Sequence, residues 1–116
     1  MIVDRIRKTK DFQDVFKNGR KSQGQIFSLY VVRDAEGSST AAGITVAKKY
    51  VAKAVNRNYI RRVVNAAFRE KAPALRSGYK VVVKVKRSVD DIGKKHLSRE
   101  LRKDLDGLFA RAGIVK

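Results

Sequence analysis

Apolar and polar residues along this chain alternate with two periods, one typical of helices and one typical of strands. Helices repeat their apolar positions about every 3.6 residues, whereas half-buried strands alternate from one residue to the next. The first period predicts helices over residues 9–16, 53–69 and about 93–112. The second predicts strands over residues 25–33, 41–47 and 79–86, with an additional short strand near residues 20–23. Residues 34–40 (DAEGSST) are polar and predict a loop.

The order of these elements predicts the fold class. It is α-β-β-α-β-α, with one further strand if residues 20–23 pair. We therefore expect an α+β fold, a single-domain α/β sandwich in which one central mixed sheet of about four strands packs against helices. The strand–helix–strand unit over residues 41–86 indicates a parallel strand pair. Crossovers of this kind are right-handed in about 98% of cases.

Length and residue types exclude several classes of protein. The chain has 116 residues, no cysteine and one histidine, His96, so disulfide and thiol chemistry are excluded and a zinc site lacks its usual ligands. No stretch is apolar over the roughly 18 residues of a membrane-spanning helix, and the N-terminus lacks the apolar core of a secretory signal. We therefore expect a cytoplasmic protein of one domain, residues 1–116, with no membrane partner.

The charge is strongly positive and unevenly distributed. Lys and Arg number 28 against 11 Asp and Glu, which gives a formal net charge of +17. Residues 37–89 hold 13 Lys and Arg but only one acid, Glu70. A surface built for solubility would intersperse both signs. The segregation favours a surface that binds a polyanion such as nucleic acid.

The helix predicted over residues 53–69 separates apolar from basic residues. Its apolar stripe, expected to pack on the sheet, comprises Ile60, Val63, Val64, Ala67 and Phe68. The other side and the preceding loop carry basic and amide residues, namely Lys48, Lys49, Lys53, Arg57, Asn58, Arg61, Arg62, Asn65 and Arg69. Arg binds phosphate through a planar fork of donors, and Asn can bond to backbone or base edges. Ordinary solvated helix faces mix Glu with Lys, so this pattern favours contact with RNA or DNA.

A string of residues in this region resembles the signature of a known family. It reads Lys48-Lys49, then Lys53-Ala54-Val55, then Arg57-Asn58-x-x-Arg61-Arg62, followed by Ala66-Ala67-Phe68-Arg69. In this order and spacing it resembles the signature of the bacterial ribonuclease P protein subunit, and the resemblance covers nearly the whole chain. Two positions depart from the family, since Ala52 stands where Gly is frequent and Tyr59 where a basic residue is common.

The resemblance implies a function. The family is the noncatalytic protein partner of a catalytic RNA, and the ribonucleoprotein acts as an endonuclease that removes the 5′ leader from precursor tRNA. The RNA carries out the hydrolysis with Mg²⁺, which is bound mainly by the RNA. The implied partners are this RNA, contacted by the basic helix and its loop, and precursor tRNA. We also expect one RNA-binding domain, a monomeric protein within the ribonucleoprotein, and the left-handed crossover of the family in place of the usual right-handed one.

The resemblance further implies a cleft for the single-stranded leader between the sheet and a helix. The matching positions are Phe12, Phe16 and Tyr30. Aromatic platforms beside positive charge are the usual means of binding unpaired nucleotides. Tyr30 lies on the strand face opposite the apolar one, which favours a place in the cleft. Phe16 fits a core position and a cleft position equally well.

Two other classes of function share some of these sequence features. A structural RNA-binding protein, such as a small ribosomal protein, would also be basic, globular and free of cysteine. It would need no groove for an unpaired strand, which separates the two interpretations. A nuclease acting alone would require a carboxylate cluster or a histidine pair to hold metal ions, and the sequence offers neither in a recognisable arrangement.

Overall fold

The computed structural model describes residues 4–6, 9–33, 40–74, 78–89 and 94–114. The helices are α1 (Thr9–Asn18), α2 (Ala54–Lys71) and α3 (Lys94–Ala112), and a 3₁₀ turn follows α2 at Ala72–Ala74. The strands are β1 (Asp4–Arg5), β2 (Arg20–Gln23), β3 (Phe27–Arg33), β4 (Ala41–Thr45) and β5 (Tyr79–Val85). None of the helices in these ranges is long and apolar enough to cross a membrane.

The strands form one mixed sheet in the order β1-β4-β5-β3-β2. β4 runs parallel to β1 and to β5, whereas β3 is antiparallel to both β5 and β2. The structure confirms the predicted α+β class and mixed sheet. It also confirms the parallel strand pair of the β4–α2–β5 unit and the short strand β2. β1 was missed because two residues are too few to show an alternation. The left-handed crossover stays a prediction.

The start of β3 differs from the predicted boundary for a physical reason. The strand was predicted from residue 25 but begins at Phe27. The backbone N–H groups of Gln25 and Ile26 donate to the carboxylate of Asp104 on α3 rather than to a neighbouring strand. Gln25 is polar on the strand face that Phe27 and Leu29 share, so the apolar alternation itself begins only at Phe27 and the strand was predicted two residues too long. Most of the predicted loop over residues 34–40 lies outside the described residues.

The larger core lies between one face of the sheet and helices α2 and α3. Every second residue of β3 and β5 contributes to it, namely Phe27, Leu29, Val31, Val81, Val83 and Val85. The predicted apolar stripe of α2 is buried throughout. Phe68 of α2 meets Phe109 of α3 edge to face, with ring centroids 5.2 Å apart. Burying side chains of this size contributes roughly 1.5–3 kcal/mol each, which holds both helices on the sheet.

The smaller core lies on the opposite face of the sheet, under α1. It comprises the buried residues Ile6, Val15 and Val82 with Phe12, Phe16, Tyr30, Val32 and Ala41 packed around them. Gly43 of β4 allows α1 to approach closely, because a Cβ there would lie 2.8 Å from two carbons of the Phe12 ring. Lys84 of β5 projects from the same face and remains exposed. α1 therefore covers only part of this face.

Candidate nucleic-acid interface

The nine residues predicted to bind RNA lie on α2 and in the loop before it, and we call them the Arg-Asn face. Seven are exposed, namely Lys48, Lys49, Lys53, Asn58, Arg61, Arg62 and Arg69, whereas Arg57 and Asn65 are half-buried. The buried stripe on the other side of α2 keeps these side chains at the surface. A hydrogen bond of 3.3 Å from Arg61 Nη1 to Asn58 Oδ1 links two of them. The structure therefore places the predicted cations and amides on one helix and its leading loop.

The loop before α2 is shaped to expose its lysines. Tyr50 and Val51 both donate their backbone N–H to the carbonyl of Ala47, at 3.1 Å each. Val51 is fully buried and anchors this turn in the larger core. Lys48 and Lys49 lie inside the turn and are exposed. Two adjacent ammonium groups are thus presented to solvent directly before the helix.

Arg57 has a partner within the chain. Its Nη1 donates to the carbonyl oxygen of Val51 at 3.0 Å and to that of Ala52 at 2.7 Å. Arg57 thus holds the loop against the first turn of α2, and only its remaining N–H groups can reach a phosphate. Sequence reasoning treated Arg57 like the other arginines of the helix, because hydrogen bonds to local carbonyls leave no trace in the residue pattern.

The start of α2 adds positive potential to the same region. The unpaired N–H groups of a first helical turn carry the positive end of the helix dipole. The first turn of α2 contains no acidic residue, so nothing within it neutralises this potential. Exposed Lys53 precedes the helix directly. Phosphate groups are favoured in such a setting.

The one acid of α2 is paired with a residue of α3. Glu70 Oε2 accepts a hydrogen bond of 2.6 Å from Arg102 Nη1. This bond lowers the pKa of Glu70 below its ordinary value of 4.5 and raises the pKa of Arg102. Near the same end of α2, Lys71 Nζ lies 3.7 Å from Oδ1 of Asp106 on α3. The negative charge of Glu70 is therefore compensated by α3 and weakens the Arg-Asn face little.

The second candidate surface lies on the other face of the sheet, beside α1. The rings of Phe16 and Tyr30 meet edge to face, with centroids 4.9 Å apart and an interplanar angle of 89°. Lys21 Nζ lies 5.6 Å from the Tyr30 centroid, and Lys84 Nζ lies 5.8 Å from the Phe16 centroid. We call these four residues the aromatic cleft. Two half-buried rings flanked by two ammonium groups can bind bases and phosphates of an unpaired strand.

Phe12 occupies a different position from Phe16 and Tyr30. Its ring packs against Gly43 of β4 and the smaller core, on the part of the sheet that α1 covers. Like Phe16 and Tyr30 it is half-buried. The geometry gives Phe12 a packing contact that fixes α1 on the sheet, whereas Phe16 combines core packing with a place in the cleft.

Sequence reasoning missed Lys21 and Lys84 as members of the cleft. Lys21 of β2 pairs directly with Tyr30 of β3. Lys84 pairs with Ser28, two residues from Tyr30 and on the same face of β3. The alternation of β5 did place Lys84 on its polar face, so this half of the signal was present in the sequence. The pairing register, which brings both lysines beside the rings, was not.

Chemistry other than nucleic-acid binding has little support among the described residues. They contain no group of three His, Asp or Glu side chains that could hold a metal ion. His96 is exposed, and its Nδ1 lies 2.9 Å from Nη2 of Arg99. These residues therefore form no recognisable acid–base or nucleophilic site in the described part of the chain.

Comparisons with known proteins identify the family of this chain. The family model described as Ribonuclease P matches residues 3–112. The ribonuclease P protein component of Pseudanabaena sp. is 32% identical over 112 residues, which cover 97% of this chain and 93% of the relative. The solved ribonuclease P protein of Staphylococcus aureus superposes with a TM-score of 0.86 at 23% identity, covering 99% of this chain and 100% of that one. That of Thermotoga maritima gives a TM-score of 0.75 at 25% identity, covering 93% and 96%. The fold, the signature on α2 and the extent of these matches together show that this chain belongs to the ribonuclease P protein family.

Proposed function

We propose that this chain, as the protein subunit of the ribonucleoprotein that matures the 5′ end of tRNA, binds its two RNA partners on opposite faces of the sheet. The Arg-Asn face on α2 binds the catalytic RNA. The aromatic cleft beside α1 binds the single-stranded leader of precursor tRNA. The observation that carries the proposal is this separation, since α2 packs on one face of the sheet and Phe16 and Tyr30 on the other.

The Arg-Asn face suits a structured RNA. Its exposed cations follow the axis of α2 and the turn before it, which matches a phosphate backbone. Exposed Asn58 adds an amide that can bond to backbone or to a base edge. Because the buried stripe fixes α2 on the larger core, these donors are preorganised before RNA binds.

The aromatic cleft suits an unpaired strand. Tyr30 and Phe16 offer ring surfaces on which bases can stack, and the ammonium groups of Lys21 and Lys84 beside the rings can pair with phosphates of the same strand. Precursor tRNA carries an unpaired leader and mature tRNA does not. Leader binding in the cleft would therefore raise the affinity for precursor tRNA above that for mature tRNA.

The hydrolysis itself is assigned to the RNA. Mg²⁺ is bound preferentially by a few oxygen ligands together with phosphates and water, and an RNA fold supplies these. The described residues bring no group of three potential metal ligands together, so this part of the chain offers no dedicated magnesium site. The role left to the chain is to bind, orient and hold the two RNAs. We expect a monomeric protein within the ribonucleoprotein, located in the cytoplasm.

Reconstitution tests this function directly. Purified protein, freed of RNA, is incubated with precursor tRNA and Mg²⁺, alone and with the cognate catalytic RNA. We expect no mature 5′ end from the protein alone, and faster cleavage at limiting Mg²⁺ when protein joins the RNA. Specific cleavage by the protein alone would overturn the assignment of the hydrolysis to the RNA. Recovery of ribosomal RNA instead of one dominant structured RNA in a pull-down would support the structural RNA-binding alternative, which the family match does not favour.

A further inference from the structure

A small groove lies between the start of α2 and the start of α3, beside the Arg-Asn face. It encloses about 220 Å³ and is lined by Val55, Asn56, Tyr59, Arg62 and Leu97. We call it the α2–α3 groove. Of its five lining residues only Arg62 belongs to the Arg-Asn face, so the function proposed above leaves most of the groove unexplained.

The groove has mainly apolar walls, and no other segment of the described residues fills it. Val55 is 75% exposed, although it is a large apolar side chain. Tyr59 and Leu97 pack on the margin of the larger core and are only partly buried. Leu97 shares the apolar spacing of Leu101 and Leu105 on α3, which are fully buried, yet it is itself only partly buried. Apolar side chains gathered around a concavity in this way mark a binding site.

The charge around the groove favours an anionic occupant. None of its described lining residues is acidic, and Arg62 forms its border with the Arg-Asn face. A second copy of this chain would bring another +17 formal charges to the same place, which opposes self-association. A nucleotide fits both the apolar lining and the positive charge of the groove, because it joins a flat base to a phosphate.

The side chains match the parts of a nucleotide. Tyr59 provides an aromatic surface for stacking, and Val55 and Leu97 provide apolar walls. The amide of Asn56 can bond to a base edge, and the Arg62 guanidinium can pair with the phosphate. Val55 and Tyr59 are four residues apart on α2 and Arg62 follows three later, so all three lie on neighbouring turns of one helix side.

We propose that the α2–α3 groove binds one unpaired nucleotide of the catalytic RNA, with its base stacked on Tyr59 and its phosphate on Arg62. The inference rests on the proposed function, since it adds a base contact to the phosphate contacts of the Arg-Asn face. It also gives a role to Tyr59, which lies outside the Arg-Asn face and is only partly buried against the larger core.

The test is a set of binding titrations with the cognate catalytic RNA. Tyr59→Leu retains apolar bulk and removes the aromatic surface, whereas Tyr59→Phe retains the ring. We expect Tyr59→Leu to weaken binding about 5- to 150-fold, the range for one stacked base, and Tyr59→Phe to bind like the wild type. Tyr79→Leu is the matched control, because Tyr79 also packs on the margin of the larger core but lies at the start of β5, at the far end of the β4–β5 pair from the start of α2.

Chemical probing of the RNA separates a stacking contact from a purely structural role of Tyr59, because only a stacking contact protects a particular nucleotide. One unpaired nucleotide is expected to be protected in complexes of the wild type and Tyr59→Phe, and reactive in the Tyr59→Leu complex. Val55→Ser serves as a second variant, because an exposed side chain can be replaced without loss of the fold, and we expect the same nucleotide to gain reactivity.

The outcomes separate the two proposals. If the wild type does not bind the catalytic RNA, the proposed function fails. If the wild type binds and Tyr59→Leu binds equally well, or Tyr59→Phe is weakened as much as Tyr59→Leu, the groove does not hold a stacked base and this inference alone is overturned. A wild-type dimer that Tyr59→Leu dissociates, measured by sedimentation, would make the groove an interface between copies and also overturn it.

Discussion

The carboxylate of Asp104 on α3 accepts a hydrogen bond of 2.9 Å from the backbone N–H of Phe27, the first residue of β3. It also accepts the N–H groups of Gln25 at 2.7 Å and Ile26 at 3.0 Å. One side chain therefore satisfies three consecutive donors where the chain passes from β2 into β3. The strand pair that carries Lys21 and Tyr30 is thereby fastened to α3 on the other side of the sheet.

Replacing Asp104 by Ala should destabilise the fold. Three backbone donors lose a charged acceptor, and we expect the free energy of unfolding to fall by about 2–4 kcal/mol. Asp104→Asn keeps one accepting oxygen and should lose less. Urea denaturation measures both changes. An Ala variant as stable as the wild type would show that water replaces the carboxylate without loss.

Arg57 and Arg61 should behave differently when replaced by Ala. Arg57 donates to the carbonyls of Val51 and Ala52, so Arg57→Ala should lower both the free energy of unfolding, by about 1–3 kcal/mol, and the affinity for the catalytic RNA. Arg61 is exposed, so Arg61→Ala should lower RNA affinity and leave the melting curve unchanged. Thermal melts and RNA titrations of the two variants, run side by side, check the distinction. Equal melting curves for both would assign Arg57 to the surface only.

The affinity for the catalytic RNA should fall steeply with salt. The Arg-Asn face contains six exposed cations, namely Lys48, Lys49, Lys53, Arg61, Arg62 and Arg69. If each neutralises one phosphate, the slope of log affinity against log salt concentration should be about −4 to −5. In Arg62→Ala the magnitude of this slope should fall by about 1, because one phosphate contact is lost. A slope near zero in the wild type would mean that this face is only solvated surface.

Tyr30 should discriminate precursor from mature tRNA. Tyr30→Ala removes a ring on which a leader base can stack, and we expect the assembled ribonucleoprotein to bind precursor tRNA about 5- to 150-fold more weakly. Binding of mature tRNA and assembly with the catalytic RNA should be unchanged. Tyr30→Phe keeps the ring and serves as the control. Equal losses for precursor and mature tRNA, in a folded variant, would remove Tyr30 from the leader site.

The ion pair between Glu70 and Arg102 should make a small contribution to stability that acid removes. The hydrogen bond from Arg102 lowers the pKa of Glu70 in the folded chain, so near the ordinary value the unfolded chain binds more protons than the folded one. The contribution is therefore present above the unfolded pKa and is lost as the pH falls through the folded pKa. It should be small, because the Glu70 side chain is exposed and that of Arg102 is only partly buried, so solvent screens the pair.

Unfolding of Glu70→Gln as a function of pH measures this contribution. The stability difference from the wild type should be greatest above about pH 5 and disappear at lower pH. Arg102→Ala should abolish the same pH dependence. A difference that grows toward acid would have the wrong sign for this ion pair.

The sequence predicted the parts of the fold that depend on periodicity. The stripe from Ile60 to Phe68 is buried as expected, and the alternation of β3 and β5 assigns Leu29 and Val83 to the larger core. These predictions succeeded because one face of each element is covered by apolar neighbours. The predicted RNA-binding residues on α2 followed from the same periodicity, because most residues outside the stripe face solvent, although Arg57 and Asn65 are half-buried.

Features that depend on pairing in space could not be predicted. The bonds from Arg57 to two carbonyls, and from three N–H groups to Asp104, join residues whose types alone do not specify a partner. Lys21 reaches Tyr30 only through the register of β2 on β3. The α2–α3 groove requires the separation of two helices, which no pattern within either helix contains.

Strands β3 and β5 serve two layers at once, since Leu29 and Val83 enter the larger core while their neighbours Tyr30 and Lys84 belong to the aromatic cleft. Loss or gain of a single residue within β5 would exchange these two sets, because the side-chain period of a strand is two. Lys84 would then enter the core and a valine would replace it in the cleft. Insertions and deletions in the middle of these strands should therefore disrupt the protein more than most single substitutions.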